Sequence, residues 1–179
     1  MALNLAGETA LIVGGGEVAL RRATTLSAAG LRLRVVALDV NAALSELTGD
    51  IQRRPFETAD LDGARLVVAC TSSMALNDEV TRLARLRGLL VNHAGAAEAG
   101  TLRFPALIER GGLSVAISTG TELPMLAQAL REKLGAALPE SLPMNDWSAQ
   151  RDAALQLAGS ERAAALDHLR VQIRAGVGL

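Results

Sequence analysis

The residues best placed to do chemistry in this 179-residue chain begin with Gly14-Gly15-Gly16-Glu17-Val18-Ala19. An apolar run, Thr9 to Val13, precedes them, and a segment with helically spaced apolar residues follows. The spacing fits G-x-G-x-x-G/A, in which each small residue has a task. The first glycine turns the chain sharply out of a strand, the second lets backbone approach a pyrophosphate, and the small third residue lets helix and strand pack closely. The phosphate charge is then met by the free N–H groups of the helix's first turn. Gly14 and Gly16 are therefore candidate cofactor-binding residues. Asp39, 23 positions after Gly16, directly follows the apolar run Val35 to Leu38. A carboxylate there accepts hydrogen bonds from the adenosine ribose and repels a 2′-phosphate, which favours NAD over NADP. The competing local reading is that Asp39 only caps the turn after its strand. Arg21 and Arg22, on the helix behind the loop, read as solvated charges.

The elements that must position this loop are legible as a rhythm. Short apolar runs alternate with helix-like segments through the first hundred residues: a strand at Thr9 to Val13, a helix at Glu17 to Ala29, and a strand at Leu33 to Leu38. A short helix capped by Asn41, a weaker strand around Ile51 to Pro55, and a strand at Leu66 to Cys70 come next. A helix from about Asn77 to Arg87 and a strand at Leu89 to Asn92 complete the series. Strands that are apolar throughout, separated by helices, predict a doubly wound parallel sheet, an α/β domain of Rossmann type. After Gly100, Thr101 to Glu109 and Leu113 to Ser118 predict a hairpin turning at Arg110-Gly111-Gly112. A helix starts at Pro124, and two more occupy Asp146 to Arg174. The expected divisions are 1–112 for the Rossmann-type domain, 113–143 for a small following section and 144–179 for a helical tail.

Composition limits the alternatives. A net charge of −1 gives no general attraction to nucleic acid or acidic membranes. Phe56, Phe104 and Trp147 are the whole aromatic set, too few for base-stacking platforms. One cysteine, Cys70, and two histidines predict neither a disulfide framework nor a metal site. Cys70 reads as a buried strand thiol and His168 as structural. The N-terminal segment has neither the basic start of a signal peptide nor the length of a membrane span, so a cytoplasmic protein is expected.

The run Leu11 to Arg22 resembles the opening of precorrin-2 dehydrogenases, including the N-terminal portion of siroheme synthase. The resemblance continues through Val68-Ala69-Cys70-Thr71, Asn77, Val91-Asn92 and Phe104-Pro105-Ala106. It resumes at Leu113 to Gly120 and from Pro124 to Leu134, so that it covers roughly residues 5 to 140. It implies NAD-dependent oxidation of precorrin-2 to sirohydrochlorin by a homodimer, with residues 113–143 supplying dimer contacts. Some members also insert ferrous iron. By position, the resemblance carries cofactor contacts to Glu17, Val18, Leu38 and Asp39, and adds Thr71 and Asn92 at the tips of the fourth and fifth strands. Ser118 and Thr119 are candidates to hydrogen-bond the carboxylates of the tetrapyrrole substrate. The chain departs from the family pattern at Gly95, where an aspartate is usual, at Ser72-Ser73, and at Thr121 to Leu123. His93, two positions before Gly95, is the substitute candidate for accepting a proton, with Glu98 a second. The rival reading is a homologue that binds NAD or a tetrapyrrole without catalysis. A nucleotide-sensing module is the third, which the hairpin and the helix after Pro124 count against.

Overall fold

A computed structural model describes residues 3–120 and 123–179. The chain divides into two compact units, Met1–Phe104 and Pro105–Leu179. The first hairpin strand thus falls in the second unit, ahead of residue 113.

In the first unit, β1 (Thr9–Val13), β2 (Arg32–Val36), β3 (Ile51–Gln52), β4 (Leu66–Ala69) and β5 (Leu90–His93) form one parallel sheet ordered β3-β2-β1-β4-β5. This is the doubly wound α/β arrangement expected from the apolar runs. The order in which strands are added reverses between β1 and β4, and that switch opens a crevice at the carboxyl ends of the parallel strands. Helix α1 (Glu17–Ala28) covers one face, burying Ala19, Ala23 and Leu26 against Ile12, Val35 and Val68. Helix α3 (Met74–Leu86) covers the other, placing Val80 and Ala84 against Leu11, Val67 and Val91. Each Val or Leu so enclosed contributes roughly 1.5–3 kcal/mol relative to exposure. On the α1 face, helix α2 (Leu44–Leu47) buries Leu44 beside α1.

Several boundaries differ from expectation. β2 stops at Val36, so Leu38 and Asp39 lie in the loop beyond it. β3 is only two residues long because its backbone pairing with β2 ends at Ala37, whose N–H reaches Gln52 O. α3 starts three residues before Asn77, since Ser73 caps it by accepting the Leu76 N–H at 3.3 Å. The strand expected from Thr101 begins only at Ala106, because Thr101 and Leu102 both donate to Val91 O.

The second unit opens with the antiparallel hairpin β6 (Ala106–Arg110) and β7 (Leu113–Ile117). Its two-residue turn, Gly111-Gly112, has positive φ at both positions (53° and 87°), the pairing that suits the twist of tight hairpins. Helix α4 (Pro124–Ala137) has Pro124 in its first turn, as expected. The tail is a pair of helices, α5 (Met144–Leu155) and α6 (Gly159–Gly176). Gly176 lets them close: a Cβ there would sit 2.6 Å from Cζ2 of Trp147. Among the described residues, no helix is long and apolar enough to cross a membrane.

Candidate functional site

The crevice holds a cavity of about 730 Å³, built from the segments that follow β1, β2, β3 and β4 at their carboxyl ends. That volume lies in the range of small-molecule and cofactor sites. The loop after β1 contributes Gly14, Gly15, Gly16 and Glu17, and the loop after β2 contributes Leu38, Asp39 and Asn41. Thr71 and Ser73 come from the end of β4, and Arg54 and Phe56 from the stretch after β3.

The three glycines are needed for different reasons. Gly14 has φ +125°, and a Cβ on it would stand 2.6 Å from Cys70 O. At Gly15 a Cβ would lie 2.0 Å from the backbone oxygen of Asp39. These two residues therefore let the loop press against its neighbours. Gly16 is different, because its φ of −85° suits any residue and a Cβ there would meet nothing within 4 Å. The protein's own packing gives no reason for glycine at that point, which faces the cavity. Gly16 also begins α1 without a side-chain cap, and Leu20 is the residue whose N–H reaches Gly16 O. The amides of the preceding turn have no acceptor within the helix. An uncapped helix start beside a space kept free of side chains suits the pyrophosphate of a dinucleotide.

Asn41 ties the first two loops together. Its N–H donates to Gly15 O at 2.8 Å, its Nδ2 donates to Glu17 Oε1 at 2.6 Å, and its Oδ1 accepts from Ala43 N–H. This occupies the Glu17 carboxylate and holds it in the first turn, where negative charge suits the helix dipole. Asp39 is exposed, and its carboxylate has no hydrogen-bond partner among the described residues. Val18, by contrast, turns its side chain onto the core beside α1 and can offer the cavity only backbone.

Thr71 is fixed by buried Asn77. Asn77 Oδ1 accepts from Thr71 N–H at 2.9 Å and from Thr71 Oγ1 at 2.8 Å, while its Nδ2 donates to Thr71 O. Arg54 is fixed by Asp60: Nη1 donates to Asp60 Oδ2 at 2.9 Å and to Pro55 O at 2.9 Å, and Nη2 donates to Asp60 Oδ1 at 2.5 Å. The Arg54 hydrogen bond holds the Asp60 carboxyl below its ordinary range, and the same bond raises the guanidinium. Neither Arg54 nor Phe56 carried a sequence signal, because β3 is too short to announce the residues that follow it. Asn41 and Asn77 stood out only as a cap and as part of the resemblance.

Asn92 and His93 do not line the cavity. Parallel register aligns Ile12, Val68 and Asn92, so Asn92 points to the α1 face and His93 to the α3 face. Asn92 is buried, donates to Leu102 O at 3.1 Å, and leaves Oδ1 without a protein partner among the described residues. His93 is shut off from solvent. Its Nδ1 accepts the N–H groups of Gly95 (3.1 Å) and Ala96 (2.9 Å), and its Nε2 faces Asp78 Oδ1 at 3.0 Å. The expectation that His93 accepts a substrate proton is not met by this geometry. Two backbone donors occupy its one lone pair, and the ring holds the turn from 93 to 96. Gly95 abuts the tip of Met74, whose Cε would lie 2.9 Å from an added Cβ.

Arg22 is not a solvated charge either. It is half-buried and lies 4.3 Å from the centroid of Phe104, and burial, then Arg21, lowers its pKa. Cys70 is a buried thiol, pushed up to about 12 by burial, with Arg22 opposing. Among the described residues, no group of three His, Cys, Asp or Glu side chains stands ready for a metal ion. Ser118 and Thr119 belong to the second unit, where Thr119 Oγ1 accepts from Leu123 N–H at 3.3 Å. Thr121 and Glu122 lie outside the described residues.

A parallel sheet in 3-2-1-4-5 order, with a glycine loop leading into an uncapped helix, defines a nicotinamide-dinucleotide-binding fold of Rossmann type. Residues 1–106 match the family described as "Putative NAD(P)-binding". The chain belongs to this NAD(P)-binding family. It is 44% identical over 142 residues to siroheme synthase of Pseudomonas entomophila (strain L48), covering 77% of this chain and 31% of that protein. It is 42% identical over 142 residues to siroheme synthase of Pseudomonas paraeruginosa (strain DSM 24068 / PA7), covering 77% and 30%. The matched segment thus spans about a third of these relatives' length. Among solved structures, "SirC, precorrin-2 dehydrogenase" superposes with a TM-score of 0.76 at 27% identity, covering 95% of this chain and 86% of that one. The resemblance read from the glycine loop onward stands.

Proposed function

We propose that the chain is a precorrin-2 dehydrogenase that oxidises precorrin-2 to sirohydrochlorin with NAD in tetrapyrrole biosynthesis. The observation that carries the cofactor half is Gly16, a glycine demanded neither by its φ nor by any neighbour, at the mouth of an uncapped helix. The substrate half rests on the similarity to siroheme synthases and to SirC. When bound, the nicotinamide supplies a hydride acceptor. Gly14, Gly16 and the first-turn amides of Glu17 and Val18 hold its pyrophosphate. Leu38 and Asp39 meet the adenosine ribose, with the unpartnered carboxylate selecting NAD over NADP. Thr71, locked by Asn77, presents the tip of β4 to the cofactor, while Asn92, buried off the cavity, steadies β5 through Leu102 O.

Oxidation also releases a proton. His93 is committed to the turn, which leaves exposed Glu98 as the carboxylate of that loop free to accept it. Ser118 and Thr119 receive substrate carboxylates. The protein works as a cytoplasmic homodimer through the section 113–143, where Met125, Leu126 and Leu134 are exposed along α4. The deciding experiment mixes the purified protein with NAD and enzymatically generated precorrin-2 and follows NADH absorbance. A rise that is lost in Glu98→Gln supports the whole reading. Binding of NAD without any rise would reduce the protein to a cofactor-holding homologue.

A further inference from the structure

We propose that Asp60 sets the cofactor preference of the cavity by cancelling the charge of Arg54, so that Asp39 is the charge a bound ribose meets. This rests on the NAD reading above. Arg54 and Asp39 line the same cavity, with Phe56 beside Arg54. Taken alone, an arginine in that position would welcome a 2′-phosphate. Its bonds to Asp60 and Pro55 use both Nη1 hydrogens and one on Nη2. Nε–H and the second Nη2–H have no acceptor among the described residues, and two parallel donors on a planar group suit a phosphate.

Two unused parallel donors of the kind that hold a phosphate are therefore present on a cavity-lining residue, and the charge is withheld. Asp60 touches the guanidinium at 2.5 Å and is only 6% exposed, so water screens its carboxylate little. The carboxylate is itself held in place by the Glu57 N–H at 2.8 Å, and Arg34 approaches its backbone oxygen at 3.4 Å. Arg34 spends its own charge on Asp50 at 3.2 Å. As a unit Arg54 and Asp60 are neutral, whereas Asp39 is exposed and unpaired. Of these three groups, the Asp39 carboxylate is the one left uncompensated at the cavity wall. Asp60 is a positioning residue here: it acts on the cofactor only through Arg54.

The test is calorimetric binding of NAD and of NADP to the wild type, Asp60→Asn, Arg54→Gln and the double variant, each checked for folding by thermal melting. The wild type is expected to prefer NAD. Asp60→Asn keeps the side chain's shape and an oxygen for the Glu57 N–H while restoring the positive charge of Arg54. It should raise the affinity for NADP relative to NAD by roughly tenfold, the scale of one uncompensated charge near a protein surface. Arg54→Gln leaves Asp60 unbalanced and should move the ratio the opposite way, so it carries the test should Asp60→Asn fail to fold. The double variant should return to the wild-type ratio. A folded Asp60→Asn protein with an unchanged ratio overturns the proposal while leaving the NAD reading intact. A wild type that prefers NADP, or binds neither, overturns that reading and this one with it.

Discussion

Replacing Gly16 by alanine separates the needs of the fold from the needs of the ligand. A methyl group at this position meets no atom within 4 Å, and φ of −85° is ordinary for alanine. Two small effects oppose each other in the empty protein. Alanine restricts the unfolded chain, which stabilises by about 0.4–1 kcal/mol. It is also a poorer helix-capping residue than glycine, which costs a similar amount. The melting temperature should therefore stay within a few degrees of the wild type. With the dinucleotide bound, the methyl group occupies the space through which the pyrophosphate approaches the backbone. Forcing one carbon into a close-packed contact costs typically 1–3 kcal/mol. At about 1.4 kcal/mol per factor of ten, affinity for NAD should fall by between roughly fivefold and 150-fold. Gly15→Ala is the internal contrast, because its Cβ would lie 2.0 Å from Asp39 O and the loop itself must move. Titration calorimetry reads the affinity, and differential scanning fluorimetry with an external dye reads the melting. A folded Gly16→Ala protein that binds NAD as tightly as the wild type would refute the assignment of this space to the pyrophosphate.

Three further outcomes are expected. His93→Ala empties an enclosed ring site and strips Gly95 and Ala96 of their acceptor, so denaturant unfolding should show a loss of roughly 3–5 kcal/mol; a loss below about 1 kcal/mol would mean the turn holds itself. Because Arg54 lowers the folded-state pKa of Asp60, the pair's stabilisation is present above the unfolded carboxylate value of about 3.9 and fades as pH falls through the lower folded value. Asp60→Asn should flatten that part of the acid limb in a melting-versus-pH series, and an identical slope would contradict it. Cys70, with its thiol pushed up to about 12, should resist iodoacetamide in the folded protein and react once urea opens the sheet; prompt labelling without denaturant would show that the thiol is not enclosed.

The sheet and the glycine loop were legible because both follow from local rules. Apolar runs of strand length between amphipathic helices leave few arrangements besides a doubly wound sheet, and Gly14 to Ala19 follows a strand in the order the chemistry requires. The Gly111-Gly112 turn was equally plain. What escaped reading was long-range. Nothing near Arg54 announces that it reaches the cavity, because a two-residue β3 gives no periodicity to extrapolate. His93 presents a similar difficulty. Its type suggests proton exchange, but its role is decided by the face of β5 it occupies and by two backbone amides that fold back onto it. Arg22 looked like a surface charge until the chain after β5 brought Phe104 across it.

The packing of Trp147 against Gly176 has an optical consequence. The chain has one tryptophan and no tyrosine, and that tryptophan sits in the helical pair of the second unit. Tryptophan fluorescence therefore reports on Pro105–Leu179 alone, while the Rossmann-type unit, with neither tryptophan nor tyrosine, gains a visible-emitting fluorophore only when the reduced cofactor NADH binds. Unfolding of the tail and occupancy of the cavity can thus be followed in one cuvette on two separate signals, without attaching a label to either.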